Sequence, residues 1–330
     1  MNKKLANTLK YSLSFALAAV LLYFSFRNVS WHEFISGLRQ TDWFFVGLSM
    51  CISLLAFVLR GLRWNMLLKP LDPSFTKLRS IEGVCFGNLA NCIIPFSGEF
   101  ARSGILATKK AGFTKLLGTV ALERSWDILL FFLVFALVFI FDWGGAGTFF
   151  AESIWTPLAD KFGHGVWLLV LALAVLAAAA VFAVIRLKDR NKICARIYGG
   201  AAGVLQGFVS FTKIKNMLLF VLYSVAIWVC YWFACVCILW AFAPVSHLTV
   251  MDGLMIMAAG SISSVIPAPG GFGTYHYFVT LTMLGLFDIP WDTGIIYATL
   301  THEAQAVTMF ISGLVSYGML LAPGKMKKKA

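Results

Sequence analysis

Three charged residues lie together in an otherwise apolar stretch, Glu123-Arg124-Ser125-Trp126-Asp127. On a helix Glu123 and Asp127 share a face at i and i+4, and Arg124 reaches Asp127 at i+3. Stacked carboxylates repel unless a cation or proton lies between them; the arginine or a lipid amine would serve. The cluster reads either as an ion pair at the inner end of a span or as the lining of a headgroup cavity. Charges within a span cost about 2.5–3.5 kcal/mol each, so they are usually paired or functional. Glu99 and Arg102 form a second pair, just after Pro95 and Gly98. A helix restarting near Gly98 puts Glu99 at its N-terminus, where negative charge is favoured. Asn88 and Asn91, at i and i+3, offer uncharged donors and acceptors, as substrate ligands or as caps of a half-helix.

The second half carries Pro267-Ala268-Pro269-Gly270-Gly271-Phe272-Gly273-Thr274. Two prolines and three glycines cannot continue a helix without a kink. Exposed N–H groups at the next helix start would cradle a phosphate or carboxylate; the alternative is a tight turn at the outer surface. No nucleotide-binding loop is present, since no Gly-Lys-Ser/Thr follows. His276 comes next, and His302-Glu303 sits where the second half matches Glu123-Arg124. Histidine titrates near neutral pH, which admits proton coupling at this place. Arg60 and Arg63-Trp64 read as anchors snorkelling to inner headgroups. With no His-x-x-x-His pair and no Gly-x-Ser-x-Gly elbow, no enzyme, metal or cofactor is expected.

These residues need a membrane scaffold. Hydrophobic residues are 60% of the chain and charged ones 13%, with mean hydropathy +0.82. The formal charge of +12 resides in short loops, which argues for membrane orientation rather than nucleic-acid binding. Full spans are expected at about 9–27, 43–62, 116–141, 165–186, 217–243 and 293–321, with interrupted segments at about 80–107 and 251–288. The first stretch resembles a signal peptide but lacks a small-x-small cleavage site, and reads as a retained span. The Gly-rich segment 194–212 is too short to span and is expected on the inner surface. The cysteines lie mostly in apolar runs and read as buried thiols.

The interrupted segments look like copies: Gly87 to Phe100 and Gly260 to Phe272 share a Gly start and a Pro-x-x-Gly-x-Phe end. Paired breaks of this kind point to a transport site, because backbone freed from helix bonding survives only beside a cavity or inside protein. If the first crossed once, Arg102, Lys109, Lys110 and Lys115 would face outward against the positive-inside bias. Re-entry from the inside, and of the second segment from the outside, removes the conflict. The expected fold is an all-α polytopic membrane protein, with about six full spans and two re-entrant helical hairpins in an inverted-topology repeat. It forms a single membrane domain, 1–330, with repeats 1–145 and 146–330, both termini cytoplasmic and the chain in the inner membrane.

Asn91, Pro95, Gly98-Glu99 and Arg102, then Glu123-Arg124 with Asp127, then Pro269-Gly270-Gly271-Phe272-Gly273, resemble the ordered signatures of the lysylphosphatidylglycerol synthase transmembrane-region family. The resemblance covers nearly the whole chain. It implies movement of a lipid or lipid-linked headgroup between leaflets by a stand-alone member. Without the soluble aminoacyl-transferase domain of bifunctional members, synthesis of the aminoacylated lipid is not implied. Family members often carry Glu at the place of His276 and Arg near His302, so the headgroup differs or stays open. The partners so implied are membrane lipids (anionic, zwitterionic or aminoacylated phospholipid, or glycolipid) and either a second copy or a partner synthase. The rival readings are a membrane enzyme using Glu99, Glu123 or His302 as acid or base, and a scaffold for a lipid-modifying partner.

Overall fold

The computed structural model describes residues 16, 18–27, 29–141, 147–148, 152, 156, 163, 175–176, 182–189, 191–263, 266 and 268–321. The span expected at 165–186 and the boundary between the two repeats lie almost wholly outside these residues. Among the described residues all regular structure is helical.

Residues 18–26 are helical and lead into α1 (Trp31–Arg39). Asp42 then caps α2 (Trp43–Leu68), accepting from Phe44 N–H at 2.9 Å. α5 (Phe113–Phe141) has 29 residues. Its first half holds the charged cluster, while residues from Ile128 onward are apolar. α7 (Met217–Ala241) and α10 (Trp291–Leu321) complete the long helices. By length and composition, α2, α7 and α10 are each apolar enough to cross a membrane. Large apolar side chains face outward along α5 and α7, with Ile140 71% and Leu218 70% exposed. That pattern suits lipid rather than water.

α2 and α7 pack antiparallel: Asp42 N–H donates to Ala241 O at 2.8 Å and Ser49 Oγ to Ala234 O at 2.9 Å. α6 (Lys192–Val209), the segment expected at the inner surface, lies along α5 with Gly203 against Thr114.

Both interrupted segments are helical hairpins. The first comprises α3 (Lys77–Ile93) and α4 (Gly98–Leu106). Pro95 has no N–H and would clash with the carbonyl one turn back. The residue before it, Ile94, is accordingly extended at φ −131° and ψ 120°. The arms run back along each other, with Gly83 beside Leu106, Gly87 beside Arg102, and Gly98 against the Gly87 carbonyl and Asn91. Any Cβ at Gly98 would overlap that carbonyl.

The second hairpin comprises α8 (Val250–Ile262) and α9 (Thr274–Phe287). Thr249 and Asp252 form a reciprocal capping box at its start. Its arms touch where a Cβ on Gly260 would come 2.5 Å from the Tyr275 ring. Its break contains a 3-10 turn at Pro269–Gly271, with positive φ at Gly270 (59°), Gly271 (82°) and Gly273 (80°). The two tips meet: a Cβ on Gly270 would sit 3.6 Å from the Cys92 Cα. α10 crosses both hairpins, packing Gly313 against Leu89 of the first and bonding His302 to Gly270 of the second.

Candidate functional site

Glu123 is wholly buried and three guanidinium groups converge on it. Arg102 Nη1 lies 2.9 Å from Oε2; Arg60 Nη2 and Arg63 Nη2 lie 3.2 and 3.4 Å from Oε1. Arg63 also reaches Asp127 Oδ1 at 2.7 Å. The cation between the stacked carboxylates is therefore Arg63, from another helix, rather than a lipid amine. Arg124 still makes its i,i+3 contact with Asp127 at 3.7 Å and pairs with Glu99 at 3.3 Å. Four arginines thus face three carboxylates, leaving one net positive charge in the group.

The helices fix this arrangement simply. Arg60 and Arg63 are one turn apart on α2; Glu123 and Asp127 are one turn apart on the facing side of α5. Arg63 donates to Ser224 Oγ at 3.2 Å on α7. Arg102 lies over the Trp64 ring at 4.5 Å, a contact strengthened by desolvation. Trp64 is held in turn by donating to Thr119 Oγ1 at 2.9 Å. Arg60 and Arg63 are not headgroup anchors, because Arg63 is fully buried and both are paired with Glu123.

Toward the surface the group opens. Glu99 and Arg124 are part-exposed, at 19% and 41% of their side chains. They border a cavity of ≈ 10 Å³ shared with Arg60, Asn88, Asn91 and Arg102, room for about one water. Asn88 Nδ2, Arg102 Nη2 and Glu99 Oε2 are buried there without a hydrogen-bond partner among the described residues. Asn91 has the capping role: its Oδ1 accepts from Gly98 N–H at 2.6 Å. α4 begins at Gly98 with Glu99 in its first turn. Pro95 and Gly98 shape the break, and the charged residues line it.

The second-half residues gather separately. Pro267 lies outside the described residues. Gly271 N–H donates to Ala268 O and Phe272 N–H to Pro269 O, both at 3.1 Å. Thr274 Oγ1 donates to Gly271 O at 2.9 Å. Gly273 packs against residues 18–22, where a Cβ would come 2.7 Å from Ala18 O. These backbone bonds engage the turn amides of Gly271 and Phe272. Around the turn, His302 Nε2 meets Gly270 O at 3.0 Å and Nδ1 meets Glu303 Oε1 at 3.1 Å. His276 Nε2 lies 3.8 Å from the same carboxylate oxygen.

Residues 11–313 match the family model described as the lysylphosphatidylglycerol synthase TM region. The chain belongs to this family. The match to the lysylphosphatidylglycerol synthase TM region takes in both hairpins, the arginine–glutamate group and the histidine group. The protein is therefore a member of a membrane-domain family associated with lipid-related function. No curated protein and no solved structure matches the chain at a significant level.

Proposed function

We propose that this membrane domain carries the headgroup of a membrane lipid between leaflets, as a transporter rather than an enzyme. The observation behind the reading is a set of cavity atoms with no hydrogen-bond partner among the described residues: two donors, Asn88 Nδ2 and Arg102 Nη2, beside one acceptor, Glu99 Oε2. Such a set suits a zwitterionic headgroup, its phosphate toward Arg102 and Asn88 and its amine toward Glu99. The cavity as it stands admits about one water, so binding requires Arg124 to part from Glu99. Their 3.3 Å contact lies at the rim, where an ion pair is weak. The acyl tails stay in the bilayer.

The same reading makes the hairpins re-entrant from opposite sides, in an inverted repeat of 1–145 and 146–330. The basic loops support inner-membrane insertion with both termini cytoplasmic. Purified protein in vesicles bearing fluorescent zwitterionic phospholipid should speed loss of inner-leaflet protection from a membrane-impermeant quencher. Glu99→Gln and Asn88→Ala, which remove the amine and a phosphate contact, should each slow that loss while leaving the fold intact. Full activity in both variants would refute this site. Mass spectrometry of the incubated lipids separates the enzyme reading, since transport leaves their masses unchanged.

A further inference from the structure

We propose that His276, His302 and Glu303 form a binding site for a divalent transition metal of the zinc class. This assignment is independent of the transport reading, and it departs from the sequence expectation of no metal. The sequence carries no local signal for such a site, because the ligands come from two helices, α9 and α10, with no local histidine motif.

The tautomer of His302 gives the first argument. Gly270 O can only accept, so the 3.0 Å contact makes Nε2 the protonated nitrogen. In the neutral ring the Nδ1 lone pair then faces a carboxylate oxygen, Glu303 Oε1, at 3.1 Å. Two acceptors at that distance repel unless a cation lies between them. His276 Nε2 approaches the same oxygen at 3.8 Å.

Geometry gives the second. One potential ligand atom from each of the three residues falls within 4.8 Å of the others. Zinc binds nitrogen and oxygen at about 2.0–2.1 Å. Tetrahedral ligands at that radius are separated by about 3.3 Å, so small side-chain adjustments suffice.

The surroundings give the third. Histidine ligands commonly donate their other ring N–H to a carbonyl, which fixes ring orientation; Gly270 O supplies that support. The left-handed turn at Gly270, φ 59°, places the carbonyl over the ring. Phe272, Tyr275 and Phe26 pack around the imidazoles, with Phe272 4.7 Å from His302 and Phe26 5.8 Å from His276. Both histidines are buried, whereas Glu303 is 41% exposed. The open side at Glu303 offers both access and a fourth coordination position, as in zinc sites with three protein ligands.

The test uses the full chain with a histidine-free affinity tag, in lipid nanodiscs. It is stripped with chelator, dialysed against Zn²⁺ near pH 7.5 and analysed by elemental mass spectrometry. The expected result is one zinc per chain. His276→Gln/His302→Gln should lower this to background, while the exposed control pair His32→Gln/His247→Gln keeps it. Co²⁺ titration of the unmutated protein should give the intense visible bands of a four-coordinate site, a readout independent of variant folding. Background zinc in the unmutated chain, with no such bands, would overturn the proposal and leave a shared proton between His302 and Glu303. Undiminished zinc in the folded double variant would also overturn it, by placing the metal elsewhere.

Discussion

Glu123→Gln removes one charge with almost no change of shape, and its effect can be worked from the contacts. Breaking a buried ion pair by removing one partner costs about 3–5 kcal/mol. Arg63 retains Asp127 at 2.7 Å, so the loss falls mainly on Arg60 and Arg102. The glutamine carbonyl still accepts a hydrogen bond, which places the expected loss near the lower end, about 3 kcal/mol. That is about a hundredfold in the folded-to-unfolded ratio. Arg124→Gln at the 41%-exposed rim should cost less than about 1 kcal/mol. Equilibrium unfolding in mixed micelles, titrated with sodium dodecyl sulfate and followed by circular dichroism, compares the two. A double-mutant cycle of Arg102→Met with Glu123→Leu should show coupling of about 1–3 kcal/mol. Equal losses for Glu123→Gln and Arg124→Gln, or no coupling in the cycle, would refute the buried network as the anchor of this region.

Gly98→Ala should lower the thermal midpoint in detergent, because its Cβ overlaps the Gly87 carbonyl, whereas Gly104→Ala, with nothing within 4 Å, should be neutral or stabilising by up to about 1 kcal/mol. Asn91→Ala leaves Gly98 N–H without its acceptor; a loss of about 1–2 kcal/mol is expected, with faster hydrogen exchange at that amide. Asp72 supplies a pH test in the loop between α2 and α3. Burial would raise its carboxyl, but donation from Ser74 N–H at 3.0 Å and Thr108 Oγ1 at 2.8 Å outweighs burial and holds it below the ordinary value. A depressed carboxylate stabilises the fold above its unfolded value of about 3.9 and loses that contribution as pH falls through the folded value. The stability difference between the unmutated chain and Asp72→Asn should therefore shrink below about pH 4; a difference unchanged down to pH 2.5 would count against it.

Local chemistry in the sequence reached local structure well. Pro95 marks the first break, α4 starts at Gly98 with Glu99 in its first turn, and Asn91 caps it. Those features depend on residues within one or two turns of each other. The partners of Glu123 were a different matter. Arg60 and Arg63 end an apolar run beside Lys69, so charge counting alone assigns them to headgroups. Their pairing spans sixty-odd positions and depends on how α2 packs on α5. The one available signal was a matched spacing, bases at i and i+3 on one helix and acids at i and i+4 on another. His276, His302 and Glu303 are each candidates in the sequence, but their meeting is not legible there for the same reason, since His276 and His302 come together only when α9 packs on α10. The Pro-Gly-Gly turn was read for its amide donors, yet its carbonyl at Gly270 makes the contact with His302.

The arginine–carboxylate group is sealed at one end and accessible at the other, and this gradient bears on how such a chain diversifies. Positions 60, 63, 102 and 123 are locked together, so replacing any one alone endangers the folded protein. Positions 99 and 124 touch the locked set only at its margin and can vary with little penalty. Under the proposed transport reading, descendants of this sequence would acquire new selectivity by exchange at those two marginal sites, while the interior quartet is inherited as a block.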